Sequence, residues 1–259
     1  MLPQKKIIAF DLDGTLTVSK SPITVEMANL IKKLTTQKIV VIISGGSFRQ
    51  FEAQFLPPFL NDINLVDSLK NLILLPTSGS QRYEYDLEQK VWRCTDSVNM
   101  TPATKSKVIN ILNDVIISGL YDIPPNPKGN IVEDRGTQIS FSALGQLAPI
   151  TEKKLWDPEH KKRQKIKMAL EPLMPEVSIV IGGTTTLDFL PAGFNKAIGL
   201  NRLLLKLNLD KSDMVFVGDA LFPSGNDYSV QEAGIETLSV KGPEETAQII
   251  QKWLGLEGI

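Results

Sequence analysis

The chain has 259 residues, 42% of them hydrophobic, and a formal net charge of −1. That length fits one larger domain or two small ones, and the near-neutral charge removes the electrostatic basis for binding nucleic acid or an anionic membrane surface. A single cysteine, Cys94, and a single histidine, His160, exclude an internal disulfide and any multi-Cys or multi-His metal centre. Carboxylates therefore have to supply any metal site, and carboxylates favour Mg²⁺, Ca²⁺ or Mn²⁺.

Ile7 to Phe10 is a short apolar run, as in a strand buried on both faces of a parallel sheet. The run is too short for the apolar core of a signal peptide, and no stretch is apolar enough to span a bilayer, so a cytoplasmic protein is expected. Met27, Leu30, Ile31 and Leu34 recur at helical spacing, and Ile39 to Ile43 is a second buried-strand run ended by Ser44-Gly45-Gly46-Ser47. Phe48, Phe51 and Phe55 line a helix that Pro57-Pro58 is expected to stop. Leu72 to Leu75 is a third run. This strand–helix alternation predicts an α/β fold with a doubly wound, Rossmann-like parallel sheet.

The middle of the chain reads differently. Tyr83, Tyr85 and Trp92 alternate with polar residues, as in half-buried antiparallel strands. Thr101-Pro102 reads as a helix start followed by the stripe Val108, Leu112, Val115 and Ile116. Pro124 to Gly129 reads as a loop, Thr137 to Phe141 as a strand, and Asp157-Pro158 as the start of a charged helix through Leu170. Val177 to Ile181 and Thr185 to Leu190 read as further strands. Residues 82–189 are accordingly expected to form an inserted α+β domain, and residues 1–81 with 190–259 a discontinuous core. The helix of Ala197, Leu200, Leu203, Leu204 and Leu207, the strand Met214 to Val217 and a last helix from Pro243 complete that core. His160 falls in a charged run that reads as a solvated helix face, and Cys94 reads as a buried or half-buried small residue.

Chemistry concentrates at strand ends. Asp11 and Asp13 follow the first strand in Asp11-Leu12-Asp13-Gly14-Thr15. One carboxylate can attack phosphorus while the other handles the proton of the leaving oxygen, although Asp and Gly in this pattern also simply make turns. Asp219, Asn226 and Asp227 cluster after the strand that ends at Gly218. Acidic groups beside a phosphate repel it, and a divalent cation resolves the repulsion. The hydroxyls and amides of Ser44 to Ser47 suit a phosphate oxygen at a helix start, and Lys196 opens an amphipathic helix.

Taken together, Asp-x-Asp-Gly-Thr, a Ser at a strand end, a Lys at a helix start and Gly-Asp…Asn-Asp resemble the four motifs of the haloacid dehalogenase (HAD) superfamily. The insertion between Ser44 and Lys196 resembles the large α/β cap of its IIB subclass. Asp11 to Thr17, Gly45-Gly46-Ser47, Arg135-Gly136-Thr137, Gly182-Gly183, Asp188 and Gly218-Asp219 to Gly225-Asn226-Asp227 are similar to eukaryotic-type phosphomannomutases and their bacterial relatives.

The resemblance implies roles. Asp11 is the nucleophile and a metal ligand, and Asp13 the general acid/base, offering its backbone carbonyl to Mg²⁺. Ser44 holds the phosphoryl group, with Ser47 as a rival. Lys196 neutralises phosphoryl charge, and Asp219 binds the metal, helped by Asn226 or Asp227. Arg135, Thr186 and Asp188 in the cap and Lys20 in the core contact substrate. The expected partner is a small phosphorylated molecule, and oligomeric state is left open.

The mutase pattern calls for several cap arginines, because arginine grips phosphate bidentately. Arg135 matches one, whereas Ser142 and the Thr151-Glu152 region stand at the next two expected places, and Lys20 stands at a core arginine position. The expected activity is accordingly that of a Mg²⁺-dependent phosphatase of phosphorylated sugars or similar metabolites. A phosphomannomutase is the alternative, with Lys128, Lys153 or Lys154 replacing the arginines, and a non-catalytic metabolite-binding protein is a third reading.

Overall fold

The computed structural model describes residues 4–60, 69–118, 124, 126–223 and 225–256. The chain divides into two units, Met1–Ser97 with Lys196–Ile259, and Val98–Asn195. The first contains β1 (Ile7–Asp11), α1 (Val25–Thr35), β2 (Ile39–Ile43), α2 (Phe48–Gln54), α3 (Pro57–Leu60), β3 (Leu72–Leu75), β4 (Gln81–Asp86) and β5 (Val91–Ser97). The second contains α4 (Pro102–Ser118), β6 (Val132–Asp134), β7 (Ile139–Ser142), α5 (Ile150–Trp156), α6 (Lys161–Leu170), β8 (Val177–Gly182) and β9 (Thr186–Pro191). The chain then returns to the first unit with α7 (Lys196–Lys206), β10 (Met214–Gly218), α8 (Tyr228–Glu232), β11 (Glu236–Ser239) and α9 (Pro243–Leu254).

In the first unit the strand order is β11-β10-β1-β2-β3-β4-β5, parallel from β11 to β3. The central strands are apolar up to their last residues because both faces are covered. Alternate residues serve opposite faces: Ile8, Phe10, Val40, Ile42 and Val215 pack with α1, and Ile7, Ala9, Val41, Ile43 and Phe216 pack with α7. Each such side chain, fully buried, contributes roughly 1.5–3 kcal/mol. Helix α1 starts where the Thr24 hydroxyl accepts the Met27 amide at 3.2 Å, and it carries Glu26 in its first turn and Lys32 and Lys33 in its last, matching the helix dipole. Pro57-Pro58 does not merely stop α2; it opens the short helix α3, since proline suits the first helical turn.

The boundary expected after residue 81 lies after Ser97. The alternating segment does form antiparallel strands, but β4 pairs with β3 (Leu74 opposite Tyr83) and extends the sheet of the first unit. Phe48 stacks on Tyr83 at 3.7 Å between ring centroids, and Tyr85 meets Trp92 edge to face. Aromatic packing on the core therefore fixes this hairpin to the sheet. Cys94, expected to be buried or half-buried, is exposed, because β5 is the edge strand of the sheet. The second boundary also moves, from residue 189 to Asn195, because β9 continues to Pro191, which pairs with Val177.

The second unit is an antiparallel sheet in the order β6-β7-β9-β8. Ile139, Phe141, Leu187 and Phe189 point to one face and pack with Val108 and Leu112 of α4 and Ile166 and Leu170 of α6. Ser140, Ser142, Thr186 and Asp188 alternate with them, and Ser140 lies opposite Asp188 and Ser142 opposite Thr186. The charged helix begins at Lys161 rather than at Pro158. The Asp157 carboxylate accepts the Lys162 and Arg163 amides at 2.9 and 3.0 Å, and His160, just before the helix, is left-handed. The loop expected at Pro124 to Gly129 falls partly outside the described residues. Among the described residues no helix is long and apolar enough to cross a membrane.

Candidate active site

Strand β1 lies between β10 and β2, with Phe10 opposite Val217 and Asp11 opposite Ile43. The ends of these three parallel strands therefore share one sheet edge, which brings Asp11, Ser44 and Asp219 together from distant parts of the chain. Sheet edges of this kind are where open α/β folds place their ligands.

Asp11 is buried, and its Oδ1 accepts from Lys196 Nζ at 2.5 Å. The same ammonium donates to Asp227 Oδ1 at 2.6 Å, and Lys196 is only 1% exposed. A lysine so deeply buried is held by its counter-charges. Burial by itself would lower its pKa, but Asp11 and Asp227 outweigh that and raise it above the usual range. Asp11, Asp219 and Asp227 each offer an oxygen within 4.8 Å of the others. Burial, opposed by Lys196 and reinforced by Asp227 and Asp219, pushes the Asp11 carboxyl well above its ordinary pKa. Asp219 is pushed up likewise, by burial and then by Asp227. Its Oδ1 accepts from Thr15 Oγ1 at 3.2 Å. Gly14 has φ +96°, and a β-carbon there would lie 2.5 Å from Asp219 Oδ2, so only glycine lets the loop after β1 pass this carboxylate.

Three carboxylates against one ammonium leave an excess of buried negative charge, and two of them are held against ionisation. Three oxygen donors this close together could hold a hard divalent ion. The Asp13 carboxylate stands outside this group of three carboxylates. Its Oδ1 accepts the Lys20 amide at 2.6 Å, and its Oδ2 lies 3.4 Å from the Ser44 hydroxyl. Of Asn226 the structure records the backbone carbonyl, 3.5 Å from Ser229 Oγ.

Ser44 and Ser47 separate clearly. Ser44 Oγ faces Asp13 and accepts the Gly46 amide at 3.0 Å, whereas the Ser47 amide donates to Gln50 Oε1 at 2.9 Å and the residue caps α2. Lys20 sits at φ +58° and meets Asp13 through its backbone.

Arg135, Thr186 and Asp188 form a separate group in the second unit. Arg135 is buried, with Nε 2.8 Å from Glu133, Nη1 3.8 Å from Asp188 and Nη2 3.4 Å from Gln146 Oε1. Asp188 accepts from Ser140 Oγ at 2.8 Å. Lys153 is 2% exposed and donates to the Gln146 carbonyl at 2.8 Å, so Arg135 and Lys153 converge on one residue. Lys128 is instead exposed and paired with Glu152 at 2.6 Å, and Ser142 Oγ is 3.3 Å from Thr185 Oγ1. Sequence reasoning missed Ser140 and Gln146, because a polar residue on an alternating strand or in a loop looks solvated until its neighbours are known.

A parallel sheet carrying an aspartate-rich, lysine-bridged edge, with an α+β insertion, defines a phosphotransferase of the HAD superfamily. A profile of the eukaryotic phosphomannomutase family matches residues 27–256. The chain belongs to this family. Phosphomannomutase 2 of Dictyostelium discoideum is 27% identical over 251 residues, covering 94% of each chain. The phosphomannomutase of Saccharomyces cerevisiae is 26% identical over 261 residues, covering 96% of this chain and 94% of the relative. Among solved structures, an N-terminally truncated IMP-nucleotidase of Plasmodium falciparum has a TM-score of 0.72 at 18% identity, covering 98% of this chain and 71% of that one. A haloacid dehalogenase-like hydrolase from Bacteroides thetaiotaomicron has a TM-score of 0.60 at 17% identity, covering 96% of this chain and 99% of that one.

These findings correct the expected activity. The expectation of a sugar phosphatase rested on arginines missing at Ser142 and Thr151-Glu152, but the family profile and the relatives are phosphomannomutases. Of the three lysines weighed as replacements for those arginines, Lys153 is buried and reaches the same residue as Arg135, Gln146.

Proposed function

We propose that the protein is a phosphomannomutase that interconverts mannose 6-phosphate and mannose 1-phosphate through an aspartyl-phosphate on Asp11. The observation that carries the reading is the Asp11 carboxylate, buried at a strand end, with its Oδ1 taken by Lys196 and with Asp219 and Asp227 close by. Membership of the phosphomannomutase family supports it.

In the forward transfer the phosphorus–oxygen bond to the sugar breaks as a bond to Asp11 forms, and Asp13 gives its proton to the leaving sugar oxygen. In the reverse transfer Asp13 takes a proton from the sugar hydroxyl that accepts the phosphoryl group from Asp11. The Lys20 amide orients the Asp13 carboxylate. Lys196, held protonated, balances charge on the phosphoryl oxygens. Asp11, Asp219 and Asp227 would hold Mg²⁺, which supplies electrostatic stabilisation of the transferring group. In the inserted unit Arg135 and Lys153 are the cationic side chains suited to contact a phosphate of the substrate.

The test is to incubate the protein with either mannose phosphate, Mg²⁺ and a catalytic amount of hexose bisphosphate, and to resolve both isomers from free phosphate by ³¹P NMR. Interconversion faster than phosphate release is expected. Phosphate release without isomerisation would refute the mutase.

A further inference from the structure

The turn after β3 holds the only consecutive left-handed residues among those described. Thr77, Ser78 and Gly79 have φ of 51°, 58° and 83°, and the other non-glycine positions of this kind, Lys20, Lys90, His160 and Asn208, are isolated. Thr77 and Ser78 are also buried. Left-handed backbone is unfavourable for residues with a β-carbon, and two in succession persist only where the surroundings over-determine them.

What determines them lies at the site. The Thr77 amide donates to the Gly46 carbonyl and the Ser78 amide to the Ser44 carbonyl, each at 2.8 Å, while the Ser44 amide donates to Leu75 at 3.2 Å. An extended backbone after Leu75 would present these amides to different partners, so the left-handed turn is what aims both at the Ser44–Gly46 loop. The turn is braced from within, because Ser80 Oγ lies 2.7 Å from the Thr77 carbonyl and 2.8 Å from its hydroxyl. On its other side the turn meets α7 backbone to backbone. A β-carbon on Gly199 would lie 2.8 Å from Gly79 Cα and 3.0 Å from the Ser78 carbonyl, and one on Gly79 would lie 2.9 Å from Gly199 Cα. Gly199 is one turn along the helix that Lys196 opens.

The geometry points to Pro76–Ser80 as a positioning element for phosphoryl transfer. It sets the Ser44–Gly46 loop and the start of α7, and hence Lys196, against one rigid piece of backbone. Thr77, Ser78, Gly79 and Gly199 act through Ser44 and Lys196 and are positioning residues. The inference rests on the reading that Ser44 and Lys196 hold the transferring phosphoryl group.

Three variants test it. Gly199→Ala drives a methyl into the backbone of the turn, Ser80→Ala removes the internal brace without adding bulk, and Ser78→Gly keeps the left-handed backbone as the conservative control. Turnover of mannose 1-phosphate is measured below the melting temperature of each variant. Binding of beryllofluoride with Mg²⁺, a phosphoryl mimic that needs no sugar, is measured by thermal shift. Small misplacements of catalytic groups can cost up to about a hundredfold in rate. Gly199→Ala is expected to lower kcat about tenfold or more and Ser80→Ala about threefold to tenfold, each with KM within about twofold. Beryllofluoride binding should weaken in parallel, and Ser78→Gly should keep wild-type kcat. A fold defect alone would lower the melting temperature and leave these constants in place. Wild-type kcat and beryllofluoride affinity in folded Ser80→Ala and Gly199→Ala would overturn the inference, and Ser80→Ala keeps the test decisive where Gly199→Ala does not fold. Wild-type protein that binds beryllofluoride but does not isomerise mannose phosphates refutes the proposed function. Variants that then still lose beryllofluoride affinity support the positioning role.

Discussion

Asp11 and Lys196 are 185 positions apart in the chain and 2.5 Å apart in the fold. The pair is buried rather than a surface pair, and the proposed mechanism makes Asp11 its nucleophile. Asp11→Asn is nearly isosteric but forms no acyl-phosphate, so it should abolish isomerisation while leaving circular dichroism and melting behaviour near wild type. Turnover close to the wild-type rate would remove Asp11 from the mechanism. Lys153 makes the second prediction at this scale. Lys153→Met keeps most of the buried bulk and deletes the charge beside Gln146. Loss of one charge-assisted contact is worth about 1.5–3 kcal/mol, so KM for a mannose phosphate should rise by roughly one to two powers of ten. Escape of the sugar should also send more of the phosphoryl group to water, read as free phosphate per isomerisation. An unchanged KM and an unchanged ratio would exclude Lys153 as an anchor.

At the scale of elements, the turn into α6 is built on a buried ion pair. Arg163 is 1% exposed, donates to Asp157 Oδ2 at 2.9 Å, and caps the Gly182 and Gly183 carbonyls at the end of β8. Asp157→Asn leaves that guanidinium without its counter-charge and should cost about 3–5 kcal/mol, read from urea unfolding. The double variant Asp157→Leu with Arg163→Met should recover much of the loss, and an equally unstable double variant would contradict the pairing argument. The pH dependence follows from the carboxylate. Burial alone would raise its pKa, but the Arg163 side chain and the Arg163 and Lys162 amides together hold it below the usual range. A folded pKa below the unfolded one gives stability that is present above the ordinary carboxylate value, about 4, and lost as pH falls through the lower folded value. Acid unfolding of the wild type should therefore steepen below about pH 4, and Asp157→Asn should remove that part of the slope.

For the whole molecule, a cation held by Asp11, Asp219 and Asp227, as proposed, would tie stability to that ion. An ion that binds only the folded protein at about a hundred times its Kd adds about 2.7 kcal/mol, or roughly 5–10 °C in Tm for a chain of this size. Mg²⁺ should produce such a shift, and EDTA should erase both the shift and turnover. A zinc-selective chelator should do neither, since the donors are carboxylates. Full turnover in EDTA would refute the cation site.

The sequence by itself determined the parallel strands, because Ile7 to Phe10, Ile39 to Ile43 and Met214 to Val217 are apolar on both faces and can only be covered by helices on each side. It likewise determined that Asp11, Ser44 and Asp219 stand at strand ends, since each apolar run stops one residue or two before them. Tertiary structure alone decided where the antiparallel hairpin of β4 and β5 belongs, because alternation reports a half-buried strand and not the sheet it joins. The same holds for the charges of the inserted unit. Lys153 and Lys128 look alike as residues in polar segments, yet one is buried against the Gln146 carbonyl and the other is paired with Glu152 at the surface. Burial is a property of what the rest of the chain packs around a residue, and that is set only once the fold closes.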